Sequence, residues 1–234
     1  MSSNIKIKTV PTPVEGAVSV VETIQQGLMT QTLHTIGLAT GGTMQPIYER
    51  LRAASLDFSQ VTSFNLDEYV GLGADDAHSY AYFMRTELFD AVKFKHNYLP
   101  DGMAVDLAAE CARYEALLQT SGLDLQLLGV GENGHIAFNE PGTPFESVTH
   151  VAELTASTQA VNQRFFAPGV AVPTRALTMG IHSILSAKKI ILVAFGERKR
   201  DAMMHLLQGD VNPEWPITKL WHHHDVEVIT DLSF

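Results

Sequence analysis

Hydrophobic and polar positions along the chain fall into two alternating rhythms. Short runs rich in β-branched and other apolar residues occupy residues 5–10, 32–38, 61–66, 123–130, 189–195 and 226–230. Bounded apolar runs of this length predict buried strands. Between them lie stretches with apolar residues three or four apart. In residues 13–29 these are Val14, Ala17, Val18, Val21, Ile24 and Leu28, and Pro13 stands where a helix would begin. Similar spacing predicts helices over 45–54, 78–92, 105–120, 180–185 and 197–207. Strands alternating with such helices predict an α/β fold: a mostly parallel, doubly wound, Rossmann-like sheet with helices on both faces. No repeat and no linker rich in Gly, Pro or Ser divides the sequence, so a single domain over residues 1–234 is expected.

Composition narrows the function. With 234 residues, 45% of them hydrophobic, the chain can bury a core without covalent staples. Its one cysteine, Cys111, excludes an internal disulfide and a cysteine metal cage. Sixteen basic and 26 acidic residues give a formal net charge of −10. That balance disfavours nucleic-acid and anionic-membrane partners, and an anion would need a local site that overrides the global field. The first residues, MSSNIKIKTVPT, lack the basic start and apolar run of a signal peptide. The longest clean apolar run, residues 190–195, is too short to span a bilayer. A soluble, cytoplasmic protein is expected.

Polar clusters follow several of the predicted strands, at the carboxyl ends where such sheets bind ligands. After Leu38 comes Ala39-Thr40-Gly41-Gly42-Thr43. Paired glycines let backbone N–H groups approach an anion, and the next helix adds its positive N-terminal end. An ordinary strand-to-helix turn with a threonine cap fits the same letters. No Gly-Lys-Ser/Thr follows, so this is not a Walker loop. After Leu66 comes Asp67-Glu68-Tyr69. On a continuing strand the two carboxylates point to opposite sides, one toward the crevice and one toward a structural role. The first could serve as a general base, although a surface cap fits as well.

The third cluster runs from Gly129 through Asn133, His135 and Glu140 to Gly142. It opens as G-x-G-x-x-G, but Pro141-Gly142 would break the helix that a dinucleotide site requires. What remains is a glycine-rich turn that displays His135, with Glu140 close enough to pair if the loop folds back. Arg164, in VNQRFF, and Lys199, after the 189–195 strand, are the cations that could hold an anionic ligand; taken alone, each reads as surface charge. His222-His223-His224 looks metal-like, yet adjacent side chains fan apart, and the triplet reads as a solvated turn. No metal site is expected.

Taken in order, these segments resemble the glucosamine-6-phosphate deaminases, from about Ile5 to Asp231. The matching strings are LATGGT, SFNLDEYVGL, LLGVGENGHIAFNEPGTPF, VNQRFF, ALTMGIHSILSAKKIILVAFGERK and WPIT. The related 6-phosphogluconolactonases share the fold but not this wording of the Asp67 and His135 segments. The resemblance implies aldose–ketose isomerisation and deamination of glucosamine 6-phosphate, with no cofactor; the alternatives are a galactosamine-6-phosphate deaminase, a 6-phosphogluconolactonase-like hydrolase and a non-catalytic sugar-phosphate sensor. It assigns Asp67 as the base between carbons 2 and 1, His135 as the residue assisting ring opening, and Glu140 as the carboxylate supporting that histidine. Thr40, Gly41, Gly42, Thr43, Arg164 and Lys199 match its phosphate-binding positions. Asn133 stands where many members have Asp, so His135 is expected to rely on Glu140 for electrostatic support and to have a lower pKa. The chain also lacks the C-terminal extension of longer members, which favours a monomer over their hexamer.

Overall fold

The protein is described from a computed structural model covering residues 4–234; residues 1–3, which begin the segment inspected for a leader, lie outside the described residues. In chain order the elements are β1 (Ile5–Thr9), α1 (Pro13–Met29), β2 (Thr35–Leu38), α2 (Gln45–Ala53), β3 (Thr62–Asn65), β4 (Asp67–Tyr69) and α3 (Tyr80–Met84). There follow β5 (His96–Tyr98), α4 (Leu107–Ser121), β6 (Leu125–Leu128), β7 (His150–Glu153), α5 (Ala156–Asn162) and β8 (Arg175–Thr178). The last are α6 (Ile181–Leu185), β9 (Lys189–Ala194), α7 (Arg200–Gln208) and β10 (Val226–Thr230).

Seven strands form a parallel sheet in the order β1-β10-β9-β6-β2-β3-β5. The chain first winds outward from β2 through β3 to β5. It then returns to place β6 on the other side of β2 and continues outward through β9 and β10. The winding reverses between β2 and β6, which opens a crevice beyond their carboxyl ends. All four residues of β2 and of β6 are buried, as a strand covered on both faces requires. On α1, Pro13 and the cap Thr12, which accepts from the Glu15 N–H at 3.2 Å, fix the start. Its buried stripe is Ala17, Val20, Val21 and Ile24, whereas Val14 of the predicted stripe faces solvent.

The structure departs from the sequence expectations in four places. The apolar run 61–66 is not one strand. Leu66 donates its N–H to Leu38 of the large sheet at 3.0 Å and accepts at its carbonyl from Met179 at 2.7 Å. There the chain passes into a second, antiparallel sheet, β4-β8-β7. Second, the helix expected over 78–92 is α3 followed by a π-helical turn, Arg85–Phe89. Third, β5, β7, β8 and α5 are short elements that apolar rhythm did not reveal. Fourth, His223 of the histidine triplet is buried rather than solvated. Its Nε2 lies 2.7 Å from the Ala187 carbonyl, and its Nδ1 accepts from the Asp225 N–H at 3.1 Å. This histidine ties the loop before β10 to the segment before β9.

Candidate active site

A cleft of about 300 Å³ lies over the reversal point between β2 and β6. Residues from every cluster singled out in the sequence line it: Thr40, Gly41, Gly42 and Thr43 after β2, Asp67 on β4, Asn133 and His135 after β6, Arg164 after α5, and Lys199 after β9. Glu140 stands behind His135 rather than on the wall.

Asp67 sits where the chain passes from one sheet to the other, paired in register with Thr178 of β8. It is buried, and burial together with the neighbouring Glu68 charge pushes its carboxyl well above the usual range. The two adjacent carboxylates divide as alternation requires. Glu68 accepts from the backbone N–H groups of Tyr69, Tyr80 and Ala81 at 2.7–2.9 Å, so it caps the start of α3. Burial pushes Glu68 up to about 7 against those three donors, with the Asp76 charge adding to the rise. Asp67 is thereby left as the carboxylate facing the cleft.

The loop after β6 folds back on itself. The Gly131 N–H donates to the His135 carbonyl at 2.9 Å, and the His135 N–H donates to Asn133 Oδ1 at 3.3 Å. Gly131 is required here, because a Cβ on it would lie 2.2 Å from His135 Cε1. His135 Nδ1 is 3.8 Å from Glu140 Oε2, beyond hydrogen-bond reach, and has no hydrogen-bond partner among the described residues. Glu140 Oε2 is bonded instead by Asn133 Nδ2 at 3.0 Å. Glu140 Oε1 accepts from the hydroxyls of Thr155 and Thr158 at the start of α5. Asn133 thus links the loop backbone to Glu140, and Glu140 acts on His135 through its charge. Burial pushes the His135 imidazole below its ordinary value; Glu140 opposes that shift and Lys199 adds to it. With Nδ1 enclosed, the nitrogen left to meet a ligand is Nε2.

The same cleft also carries two cations, Arg164 and Lys199. Burial pushes the Lys199 amine down; Glu132 opposes this, while the Arg164 and Arg198 charges reinforce it. Lys199 and Arg164, 35 positions apart in sequence, therefore share one electrostatic neighbourhood in the cleft that the 40–43 loop also lines. An anion bound there would relieve their mutual repulsion. The Arg164 guanidinium rests 4.7 Å from the centre of the Phe165 ring. Among the described residues no group of three or more His, Cys, Asp or Glu side chains could hold a metal ion. The residues that sequence reading missed are Tyr80, Thr155 and Thr158. Only Thr155, which accepts from the Thr158 N–H at 3.2 Å as a helix cap, left a local signal in the spacing.

Residues 14–230 match the family described as glucosamine-6-phosphate isomerases/6-phosphogluconolactonase. A glucosamine-6-phosphate deaminase of Bacillus cereus (strain B4264) is 50% identical over 227 residues, covering 97% of this chain and 87% of the relative. One of Bacillus thuringiensis (strain Al Hakam) shows the same identity and coverage. Among solved structures, one described as a monomeric glucosamine-6-phosphate deaminase superposes with a TM-score of 0.93 at 40% identity, covering 96% of each chain. The 6-phosphogluconolactonase of Thermotoga maritima superposes with a TM-score of 0.78 at 18% identity, covering 97% of this chain and 99% of that one, a likeness of fold. The chain belongs to the glucosamine-6-phosphate isomerase/6-phosphogluconolactonase family.

Proposed function

We propose that this protein converts glucosamine 6-phosphate and water into fructose 6-phosphate and ammonia. The observation that carries the reading is a buried carboxylate, Asp67, and a histidine, His135, sharing one cleft with a glycine loop and two cations. The 50% identity to proteins that carry out this deamination supports it.

The phosphate binds to the 40–43 loop, Arg164 and Lys199. Nε2 of His135 moves a proton at the ring oxygen and opens the pyranose. Asp67 removes the proton on carbon 2, giving an enolamine. A proton returned to carbon 1 gives the ketimine, and water adds to its carbon and displaces ammonia. Asp67 suits this work because burial makes its carboxylate more basic than a solvated one. The remote phosphate supplies binding energy that holds carbons 1 and 2 against the base. Both sheets line the one cleft, so the chain acts as a single domain. Because the 40% identical structure is described as monomeric, a monomer is the assembly state proposed, and light scattering tests it.

The reaction is tested by measuring ammonia and fructose 6-phosphate released from glucosamine 6-phosphate, beside galactosamine 6-phosphate and 6-phosphogluconolactone. Equimolar ammonia and fructose 6-phosphate from the glucosamine ester alone is the expected result. Ammonia from neither amino sugar refutes it, and hydrolysis of the lactone would then assign the cleft to ester chemistry.

A further inference from the structure

Arg164 lies in the short turn Gln163–Phe165 that follows α5 and is closed by the Phe166 N–H donating to the Gln163 carbonyl at 3.0 Å. Gln163 Nε2 donates to the Val170 carbonyl at 3.0 Å, and the Phe166 ring meets Tyr69 edge-on with centroids 5.6 Å apart. His78, in the loop between β4 and α3, meets this segment twice. The His78 ring stacks on Phe166 with centroids 4.8 Å apart and planes 8° from parallel. The Ala167 N–H donates to His78 Nε2 at 3.2 Å. For Nε2 to accept, the ring proton must sit on Nδ1, and Nδ1 lies 2.9 Å from Asp76 Oδ1, which receives it. Asp76 therefore fixes both the tautomer and the orientation of the imidazole. One more bond, from Asn162 Nδ2 to the Tyr69 hydroxyl at 2.9 Å, ties the same segment to β4.

We infer that His78 is a positioning residue that holds the Arg164 segment over the cleft and thereby sets the affinity for the substrate's phosphate. The inference rests on the proposed function and names the device that keeps its phosphate site assembled. His78 does not line the cleft and touches no reacting atom. It acts by keeping Phe166 and Ala167, and with them Arg164, at a fixed distance from Asp67, which lies at the start of the same β4–α3 stretch. Losing it leaves the Ala167 N–H without its acceptor and one face of Phe166 without its partner. The segment then spends part of its time displaced. Apparent phosphate affinity falls by the fraction of molecules still in place, while the acid–base groups of a saturated molecule are unchanged.

Two substitutions and two readouts test this. His78→Ala removes both contacts; His78→Phe keeps a ring against Phe166 and removes the acceptor. Inorganic phosphate binding is measured by calorimetry, and KM and kcat are measured on glucosamine 6-phosphate. His78→Ala is expected to weaken phosphate binding and raise KM together by about tenfold, the size of one hydrogen bond plus a ring contact, with kcat within about twofold. His78→Phe should fall between the parent and the alanine variant. Phosphate affinity and KM equal to the parent's in both variants overturn the inference, as does a fall in kcat with KM unchanged. Should the alanine variant fail to fold, the phenylalanine variant decides. A parent that binds phosphate but releases no ammonia refutes the reaction and leaves the calorimetry to judge His78.

Discussion

Asp67 is held where a carboxylate is poorly solvated, and that has two measurable consequences. Replacing it with Asn removes the base, so turnover should fall by about 10²- to 10⁴-fold with phosphate binding retained; near-normal turnover would remove Asp67 from the role. The same substitution should stabilise the fold near neutrality. The folded carboxyl has its pKa raised by burial and by Glu68. Above the unfolded value the unfolded chain ionises while the folded one resists, so stability is lost as pH rises toward the folded value. Asn carries no such cost. Asp67→Asn should therefore melt higher than the parent at pH 8, with the gap closing toward pH 4, and equal melting at both would count against it. His135 has the opposite bias, since burial lowers its pKa. The limb of the kcat/KM profile that it governs should lie below the ordinary imidazole value of about 6.5. Because Asn133 and Glu140 are bonded to each other beside it, Asn133→Asp should move that limb up and Glu140→Gln should move it down. Shifts of the same sign would refute the electrostatic account.

At the scale of elements, the site depends on ends rather than middles. The start of α3 is closed by Glu68, a side chain from a neighbouring strand, in addition to the Ser79 cap that accepts from the Tyr82 N–H. Glu68→Ala leaves three backbone N–H groups without their acceptor and should cost at least about 2 kcal/mol in chemical denaturation. A variant as stable as the parent would mean that water replaces the cap. The β6 loop depends on Gly131 for the approach of the imidazole. Gly131→Ala should lower kcat by about tenfold or more, as expected of a displaced catalytic group, without unfolding the protein. A normal kcat would show that the ring accommodates the methyl. Helix α5 serves two sites at once, with Thr155 and Thr158 on Glu140 at one end and Arg164 just beyond the other.

For the whole molecule, the second sheet is fastened to the first through buried polar side chains. Glu115 on α4 accepts from the Thr149 N–H, the Thr149 hydroxyl and the Ser183 hydroxyl at 2.6–3.0 Å, joining α4 to the approaches of β7 and to α6. Burial works to raise its pKa, but these donors outweigh it and hold the carboxyl below its usual value. Its stabilisation is present above the unfolded carboxyl value and is lost as pH falls through the folded one. Glu115→Ala should cost about 3 kcal/mol at neutral pH and less in acid, measured by urea unfolding at both. A cost independent of pH would mean that packing, not charge, is lost.

Parts of the molecule whose physics is local were legible in the order of the residues. Apolar spacing set the strands that are buried on both faces and the long helices, because each such element must present one face or two to a core. Glycine, threonine and the acidic pair Asp67-Glu68 at strand ends showed where a ligand could be held, since turns and caps are decided within a few residues. Tertiary structure alone decided what depends on distant partners. The run 61–66 divides because Leu66 bonds Leu38 on one side and Met179 on the other, and no property of the run itself encodes Met179. Lys199 and Arg164 become one site only when the order of strands brings β9 beside β6 and folds α5 over their ends. His78 reads as the first residue of an expected helix until Phe166 and Ala167, nearly ninety positions later, are laid against it. A contact between residues that far apart is specified by the packing of the whole chain, which local rhythm does not record.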